Sequence, residues 1–486
     1  MNSSQGNSEV HARSRQHDQT RRQFIESSAL NLAPAALATL LASDGTGATA
    51  AEGPLPSQQP HFRARAKAVI FLFQIGGPSQ LDLFDPKPEL LRRAGEPLPE
   101  SILKEITFAQ IQEKQPKLMG SPWKFNQHGD SGATVSELLP HTASIVDRIT
   151  IVKTVKTDDT NHMFAELMMN TGWRRFGRPS LGSWMIYGLG SESQDLPAFI
   201  VLRSGMRPRS KGANYGNGFL PSKYQGTPLR SSGDAILNLT SPEGFSDETQ
   251  QQSIEAINSL NRLRLEQTGD DEIASRIASY EVAFRMQSAA PELLNLKSET
   301  AETLSTYGID DPAKPSFARN CLLARRLVER GVRFVQCFHG DWDHHTGIAS
   351  GLPQQCKLTD QPSAALVNDL AQRGLLDDTL VIWGGELGRT PVAQKSDKSG
   401  VAVGRDHQIE AFTMWFAGGG VKPGQTIGST NDLGCLPTEE SWHVYDLQAT
   451  VLHALGLDHE RLTYRYQGRD FRLTDIHGEV KSDLLF

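Results

Sequence analysis

A chain of 486 residues is long enough for about three units of ~150 residues, or for one large α/β domain with insertions. With 38% hydrophobic and 22% charged residues it is neither collagen-like nor a disordered polyelectrolyte, and a net charge of −7 without a long basic run argues against a protein that tracks nucleic-acid phosphates. Four cysteines, Cys321, Cys337, Cys356 and Cys435, are too few and too widely spaced for a disulfide scaffold or a Cys-rich zinc ribbon, so a metal site here must use His and carboxylates.

The amino terminus reads as an address. Arg21 and Arg22 precede an apolar stretch from Ala29 to Ala42, broken by Asn31 and Pro34, and Ala48-Thr49-Ala50 offers the small residues at which a signal peptidase cuts. This is the pattern of a twin-arginine export signal, and its apolar block is too short to span a hydrocarbon core of about 30 Å. An ordinary amphipathic helix would not account for a polar leader, an Arg pair, an apolar block and a cleavage site in that order. Residues 1–50 are therefore expected to be leader, read by the Tat export machinery. Residues 51–486 are expected to form the mature chain, in the periplasm or at the cell surface, with no membrane span of its own.

From Ala68 to Phe73 the chain is continuously apolar and β-rich, and it opens into Gly76-Gly77-Pro78, as expected of a strand buried on both faces that ends in a loop. Similar runs recur at Ile149–Val152, Pro197–Leu202, Gly331–Phe338, Thr379–Trp383 and Ala411–Phe416, with helical patterns between several of them. Such alternation predicts an α/β fold with helices on both faces of a central, mostly parallel sheet. Met206–Thr240, rich in Gly, Ser and Pro, reads as a long loop of the kind that lines a site. Between about residues 247 and 320 the texture becomes helical without strands, and a helical insertion is expected there.

The densest chemistry follows the strand ending at Phe338. His339, Asp341, Asp343, His344 and His345 place two carboxylates and three imidazoles within seven residues. In an open α/β sheet, ligands collect at the carboxyl ends of strands, and imidazole with carboxylate is a zinc- or manganese-type donor set. A solvated turn capping the next helix is the bland alternative. The end of the strand from Leu380 to Trp383 delivers Glu386, between Gly385 and Gly388, and the run Gly404-Arg405-Asp406-His407 stands just before the strand from Phe412 to Phe416. Glu386 and His407 alone are weak signals; their value lies in agreement with the first cluster.

The order of these motifs resembles the superfamily of alkaline phosphatases, arylsulfatases and cofactor-independent phosphoglycerate mutases. Those proteins share an α/β/α sandwich whose late strands present Asp-x-x-x-His, then Asp-His-Gly, then a single His. Asp341 and His345 match the first spacing, Glu386-Leu387-Gly388 stands in the second place and His407 in the last. The resemblance implies an ion held by Asp341, His345 and His407, with Glu386 beside it. Residues 60–486 also resemble an exported, sulfatase-like family of unknown function, the domain-of-unknown-function family numbered 1501. Its hallmarks stand here as Gly76-Gly77-Pro78-Ser79 with Asp82, Asn161-His162 with Asn170-Thr171-Gly172, Arg178 to Trp184, Asp341 to His345, Gly385 to Pro391, and Arg405-Asp406-His407.

Departures from the catalytic superfamily limit what the resemblance implies. The first strand ends in Gln74-Ile75-Gly76-Gly77 where the enzymes have a metal-binding Asp, and Leu387 stands where they have a His, so half the donors of a second ion are missing. Asp82, Asp343 and His344 are the residues left for one. No cysteine lies in a Cys/Ser-x-Pro-x-Arg sequence, which argues against formylglycine chemistry. A nucleophile is expected where the strand from Ile149 meets a helix amino terminus, because unpaired N–H groups there bind an ester oxygen. Thr157, Thr160 and His162 are available. Thr160 is the expected nucleophile and His162 its proton acceptor, an N-cap role for Thr160 being the alternative. Arg178 and Arg389 are the guanidinium groups able to pair with an anionic ester.

Two functions are expected to compete. One is an exported metal-dependent hydrolase of phosphate or sulfate esters, acting on a small-molecule or polysaccharide substrate through Zn or Mn, with Ca and Mg still open. The other is a metal-stabilised, non-catalytic module that binds anionic polysaccharide at the cell surface.

Overall fold

The computed structural model describes Leu55 and residues 57–230, 246–394 and 403–486. The twin-arginine segment and the small-residue cleavage pattern lie outside the described residues.

The central sheet is built from β1 (Ala68–Gln74), β2 (Ile149–Lys156), β3 (Phe199–Ser204), β4 (Phe334–His339) and β5 (Thr379–Gly384), followed in the chain by β6 (Gly388–Gln394), β7 (Gly404–Gln408) and β8 (Phe412–Ala417). Across the sheet the order is Gln425–Ile427, β2, β8, β5, β1, β4, β3 and Thr227–Pro228. β1 pairs parallel with β4 and with β5, matching Val69 to Phe334 and to Leu380, and β3 runs parallel to β4. Among the described residues of this sheet, β8 alone runs against its neighbours, antiparallel to both β2 and β5. β6 and β7 form a separate antiparallel pair beyond the end of β5. The mixed α/β architecture with a large, mostly parallel sheet is the one the sequence predicts.

Two cores flank the sheet because side chains alternate along each strand. Ile70 and Leu72 of β1 enter one core with apolar residues of α-helices Phe317–Val328 and Ile348–Gln372. Val69, Phe71 and Phe73 enter the other, against helices His162–Thr171, Leu181–Leu189 and Val444–Ala454. An uninterrupted apolar strand is what burial on both faces requires. Residues 247–307 carry the long helices Asp247–Thr268 and Asp271–Leu294 and the short helix Ala301–Tyr307. Among the described residues no helix is long and apolar enough to cross a membrane.

The carboxyl ends of β1, β2, β4 and β5 open on the same edge of the sheet. There Gly76 (φ +110°) lets the chain after β1 approach the loop after β4: a Cβ at Gly76 would lie 2.5 Å from the backbone N of Asp343. Gly404 does the same for β7, where a Cβ would meet the backbone of His344 and His345.

Candidate metal centre

Four side chains converge at this edge. His162, Asp343, His345 and His407 each offer one ligand atom, and these atoms all lie within 4.8 Å of one another. His162 opens the helix after β2, Asp343 and His345 follow β4, and His407 is in β7. The Nε2 atoms of His162, His345 and His407 approach Asp343 Oδ1 at 3.1, 3.0 and 3.3 Å.

The opposite ring nitrogen explains the orientation of each imidazole. Nδ1 of His162 lies 2.6 Å from Glu386 Oε1, that of His407 2.6 Å from the carbonyl of Thr160, and that of His345 2.6 Å from Gln394 Oε1. A carboxylate and two carbonyl oxygens only accept, so each Nδ1 carries the proton and each Nε2 presents a lone pair to the common point. Three lone pairs facing one carboxylate oxygen repel unless a cation or a proton lies among them. His162 Nε2 is buried without a hydrogen-bond partner among the described residues, as a donor awaiting an ion would be. Three imidazoles and one carboxylate, each imidazole held from behind by an oxygen, fit a divalent ion of the zinc type.

Titration agrees with this charge balance. Burial lowers the proton affinity of His162, but Asp343 and Glu386 outweigh it and raise the group to about 8. Burial, despite Asp343, pushes His407 down to about 4, with Arg389 adding to the effect. Burial opposes ionisation of Asp343, yet the three imidazoles and Arg389 hold it well below the usual carboxylate range. Without metal, a proton on His162 takes the place of the cation. Because its folded value lies above the ordinary 6.5, that proton stabilises the fold fully below about pH 6.5, and its contribution disappears as pH rises through about 8. Metal competes for the same lone pair. The apparent Zn affinity is therefore expected to climb about tenfold per pH unit between about pH 6 and 8, with one proton released, and to level off above; competition titrations against a chelator at each pH check this.

Several residues singled out in the sequence sit elsewhere. Asp341, expected as a ligand, is not part of the group: its left-handed backbone (φ +80°) breaks the extended run, and its exposed carboxylate lies against Gly205. Trp342, fully buried with Nε1 on Gln74 Oε1 at 2.9 Å, anchors the turn that sends Asp343 inward. Glu386 is one bond removed from the group, accepting the Gly76 N–H at 2.9 Å as well as facing His162. Asp82 is not available to a second ion, because Arg405 grips it with two bonds, Nε to Oδ2 at 2.8 Å and Nη2 to Oδ1 at 3.0 Å, with both side chains fully buried. His344 is outside the group, packed near Gly351, and burial with Arg389 nearby lowers it to about 4. His162, expected as a base, joins the ligand group. Thr160 is not the N-cap, which is Asn161 through its side-chain oxygen on Met163 N; the carbonyl of Thr160 orients His407.

Arg389 is fully engaged. Its buried guanidinium donates to the carbonyls of Gly76, Gly77, Trp342 and Arg405 and to Asp343 Oδ1 at 2.8 Å, which ties the loops after β1 and β4 to β7. Arg178 lies elsewhere, 4.6 Å over Trp173 and 4.7 Å over Phe471. A second, half-exposed cation on Asp343 is Arg209, which the sequence reading did not single out. Its Nη2 lies 2.9 Å from Asp343 Oδ2 while its side chain remains 48% exposed. Buried Glu166 holds it there by accepting the backbone N–H of Arg209 and Ser210 at 3.0 and 3.1 Å. The only hint in the sequence was its place in the long loop after β3.

A β-bulge in the pairing of β7 with β6, between Arg405 and His407, sends three consecutive side chains to three destinations. Arg405 goes to Asp82, His407 to the imidazole group, and Asp406 Oδ2 accepts the N–H groups of Ala109, Gln110 and Ile111 at 2.8–3.0 Å. That contact brings Gln110 over the site, its Nε2 3.2 Å from His345 Nε2 and its Oε1 bonded by Gln394.

Among solved structures, the chain is similar to the alkaline phosphatase of the Antarctic bacterium TAB5 at 11% identity and a TM-score of 0.33, covering 82% of this chain and 100% of that one. The PsFucS1 sulfatase from Pseudoalteromonas sp. is similar at 11% identity and a TM-score of 0.35, covering 88% and 72%. The lipoteichoic acid synthase LtaP from Listeria monocytogenes is similar at 9% identity and a TM-score of 0.32, covering 83% and 76%. At these scores the likenesses bear on neither substrate nor mechanism. No curated protein matches the sequence. A family model described as "Protein of unknown function (DUF1501)" matches residues 66–485, and the chain belongs to that family.

Proposed function

We propose that this protein is an exported, metal-dependent hydrolase of phosphate or sulfate esters, working with one ion held by His162, Asp343, His345 and His407. The observation that carries the reading is the convergence of three Nε2 lone pairs on Asp343 Oδ1. A nitrogen-rich donor set favours Zn or Mn over Ca or Mg, which take oxygen ligands. When bound, the ion supplies positive charge to the ester oxygens and acidifies a coordinated hydroxyl or water.

The chain's own residues do the rest. Glu386, Thr160 and Gln394 lock the imidazoles in the ligating tautomer. Arg209, half-exposed beside Asp343, is the guanidinium placed to pair with an anionic ester oxygen, a task closed to Arg389 by its buried contacts. Thr160 stays the proposed nucleophile from its place between β2 and the helix that His162 opens, while His162 is assigned to the ion in place of a base. Export by the Tat pathway to the periplasm or cell surface completes the reading and rests on the amino-terminal pattern.

One observation favours the non-catalytic alternative: Arg405 consumes Asp82, so a two-ion clamp on attacking and leaving oxygens lacks a donor. Metal-quantified protein should be assayed on p-nitrophenyl phosphate, bis(p-nitrophenyl) phosphate and p-nitrophenyl sulfate. Turnover that is lost on chelation and restored by Zn or Mn is the expected result. Inactivity of the loaded protein on all three would overturn hydrolysis in favour of binding.

A further inference from the structure

We infer that Gln110 is a displaceable cap on the metal centre: its side-chain amide occupies the ligating lone pair of His345, yields it to the ion, and then donates the same N–H to an anionic ligand of that ion. The inference rests on the metal reading of the site and adds to it a positioning residue outside the ligand group.

The ligand group is open on one side. His162 and His407 are buried, whereas Asp343 and His345 are half-buried and Gln110 is exposed above them. Three side chains close a ring there. His345 Nδ1 donates to Gln394 Oε1 at 2.6 Å, Gln394 Nε2 donates to Gln110 Oε1 at 3.1 Å, and Gln110 Nε2 lies 3.2 Å from His345 Nε2.

Each orientation fixes the next. Asp406 Oδ1, 3.8 Å from His345 Nδ1, favours the proton on that nitrogen. Gln394 must then turn its oxygen to His345 and its NH2 to Gln110, which leaves the Gln110 NH2 facing the lone pair on His345 Nε2. That nitrogen is the one that also faces Asp343 Oδ1, 3.0 Å away. An imidazole nitrogen has a single lone pair, so the Gln110 amide and an ion exclude each other on it.

The exchange needs only a side-chain rotation, because the backbone beneath is fixed. Asp406 Oδ2 accepts the N–H groups of Ala109, Gln110 and Ile111, and the Thr107 N–H goes to Glu410 Oε1 at 2.8 Å. Ile106 is buried, and Phe108 and Ile111 pack on the same small apolar cluster as Leu118 and Val392. A neutral hydrogen bond at an exposed position is weak beside the bond of a divalent ion to imidazole, so the cap yields and does not exclude. Once released, the N–H stays at the open rim on its fixed backbone. With Arg209 on Asp343 Oδ2, it gives that side of the site a neutral and a charged donor for an oxyanion.

Zn competition titrations on chelator-stripped protein, then calorimetry of inorganic phosphate on the Zn-loaded protein, test this on the parent, Gln110→Ala and Gln110→Met. The Met variant keeps bulk over the site without the donor. Both variants are expected to bind Zn about threefold to tenfold more tightly than the parent, and phosphate about threefold to tenfold more weakly. The sign separates the cap from a structural role, since losing a structural support would loosen the ligand group and weaken Zn. Zn affinity unchanged or lowered in Gln110→Met would overturn the cap, and so would a gain confined to Gln110→Ala, which is the mark of a steric cover. A parent without phosphate affinity, or variants that match it, would overturn the second task of the amide. A parent that takes up no Zn removes the metal reading and this inference with it, whereas Zn bound equally by all three proteins removes this inference alone.

Discussion

Asp343→Ala is expected to release the metal and to lower ester turnover by about three to four orders of magnitude, whereas Asp341→Ala keeps metal content and turnover within about twofold of the parent. The two carboxylates are separated by a single residue, Trp342, yet they occupy different environments. Asp343 Oδ1 is the oxygen on which three imidazoles converge, and its Oδ2 receives Arg209. Asp341 faces solvent beside Gly205. Elemental analysis of the two variants, together with His407→Ala as a ligand-loss control, reads the result without depending on a known substrate. Metal retained by Asp343→Ala but lost from Asp341→Ala would reverse the assignment, and with it the geometry from which the proposed chemistry is built.

Arg405→Met is expected to destabilise the fold by about 3–5 kcal/mol, because it leaves the carboxylate of Asp82 buried and unpaired. Among the described residues the Asp82 carboxylate would retain the Ser79 hydroxyl at 2.5 Å. Arg405 also donates to the carbonyls of Met119 and Thr390 at 2.9 and 3.2 Å, so the loss spreads to three segments that meet behind the site. Replacing both partners, Asp82→Leu with Arg405→Met, should recover much of the stability, since no charge is then stranded. Denaturant midpoints with metal content measured in parallel separate this structural role from a ligand role. If Asp82→Asn lowered metal stoichiometry at unchanged stability, the pair would have to be read as part of a second ion site.

These expectations mark the boundary between local pattern and tertiary arrangement. The apolar run from Ala68 to Phe73 was legible because burial on both faces demands it. The glycines at 76 and 77 announced a close approach of backbones, and the clustering of His and Asp after β4 announced chemistry at a strand end. His345 and His407, both singled out from the sequence, meet in space at a ring separation of 4.4 Å.

Direction was not legible. Whether Asp341 or Asp343 turns inward depends on one left-handed residue and a buried tryptophan, and the three destinations of Arg405, Asp406 and His407 depend on a bulge against β6. The place of His162 in the candidate ligand group depends on Glu386, 224 positions away, which holds its other nitrogen. Arg209 reaches Asp343 only because Glu166 pins the long loop by its backbone.

By itself, then, the amino-acid sequence determined the α/β class, the strands and the stretches of chain that carry chemistry, since these follow from periodicity and residue type along a local segment. Tertiary structure alone decided which atoms face one another. A side chain's heading in a loop is set by a few backbone angles and by partners hundreds of residues distant, and neither leaves a periodic trace in the sequence.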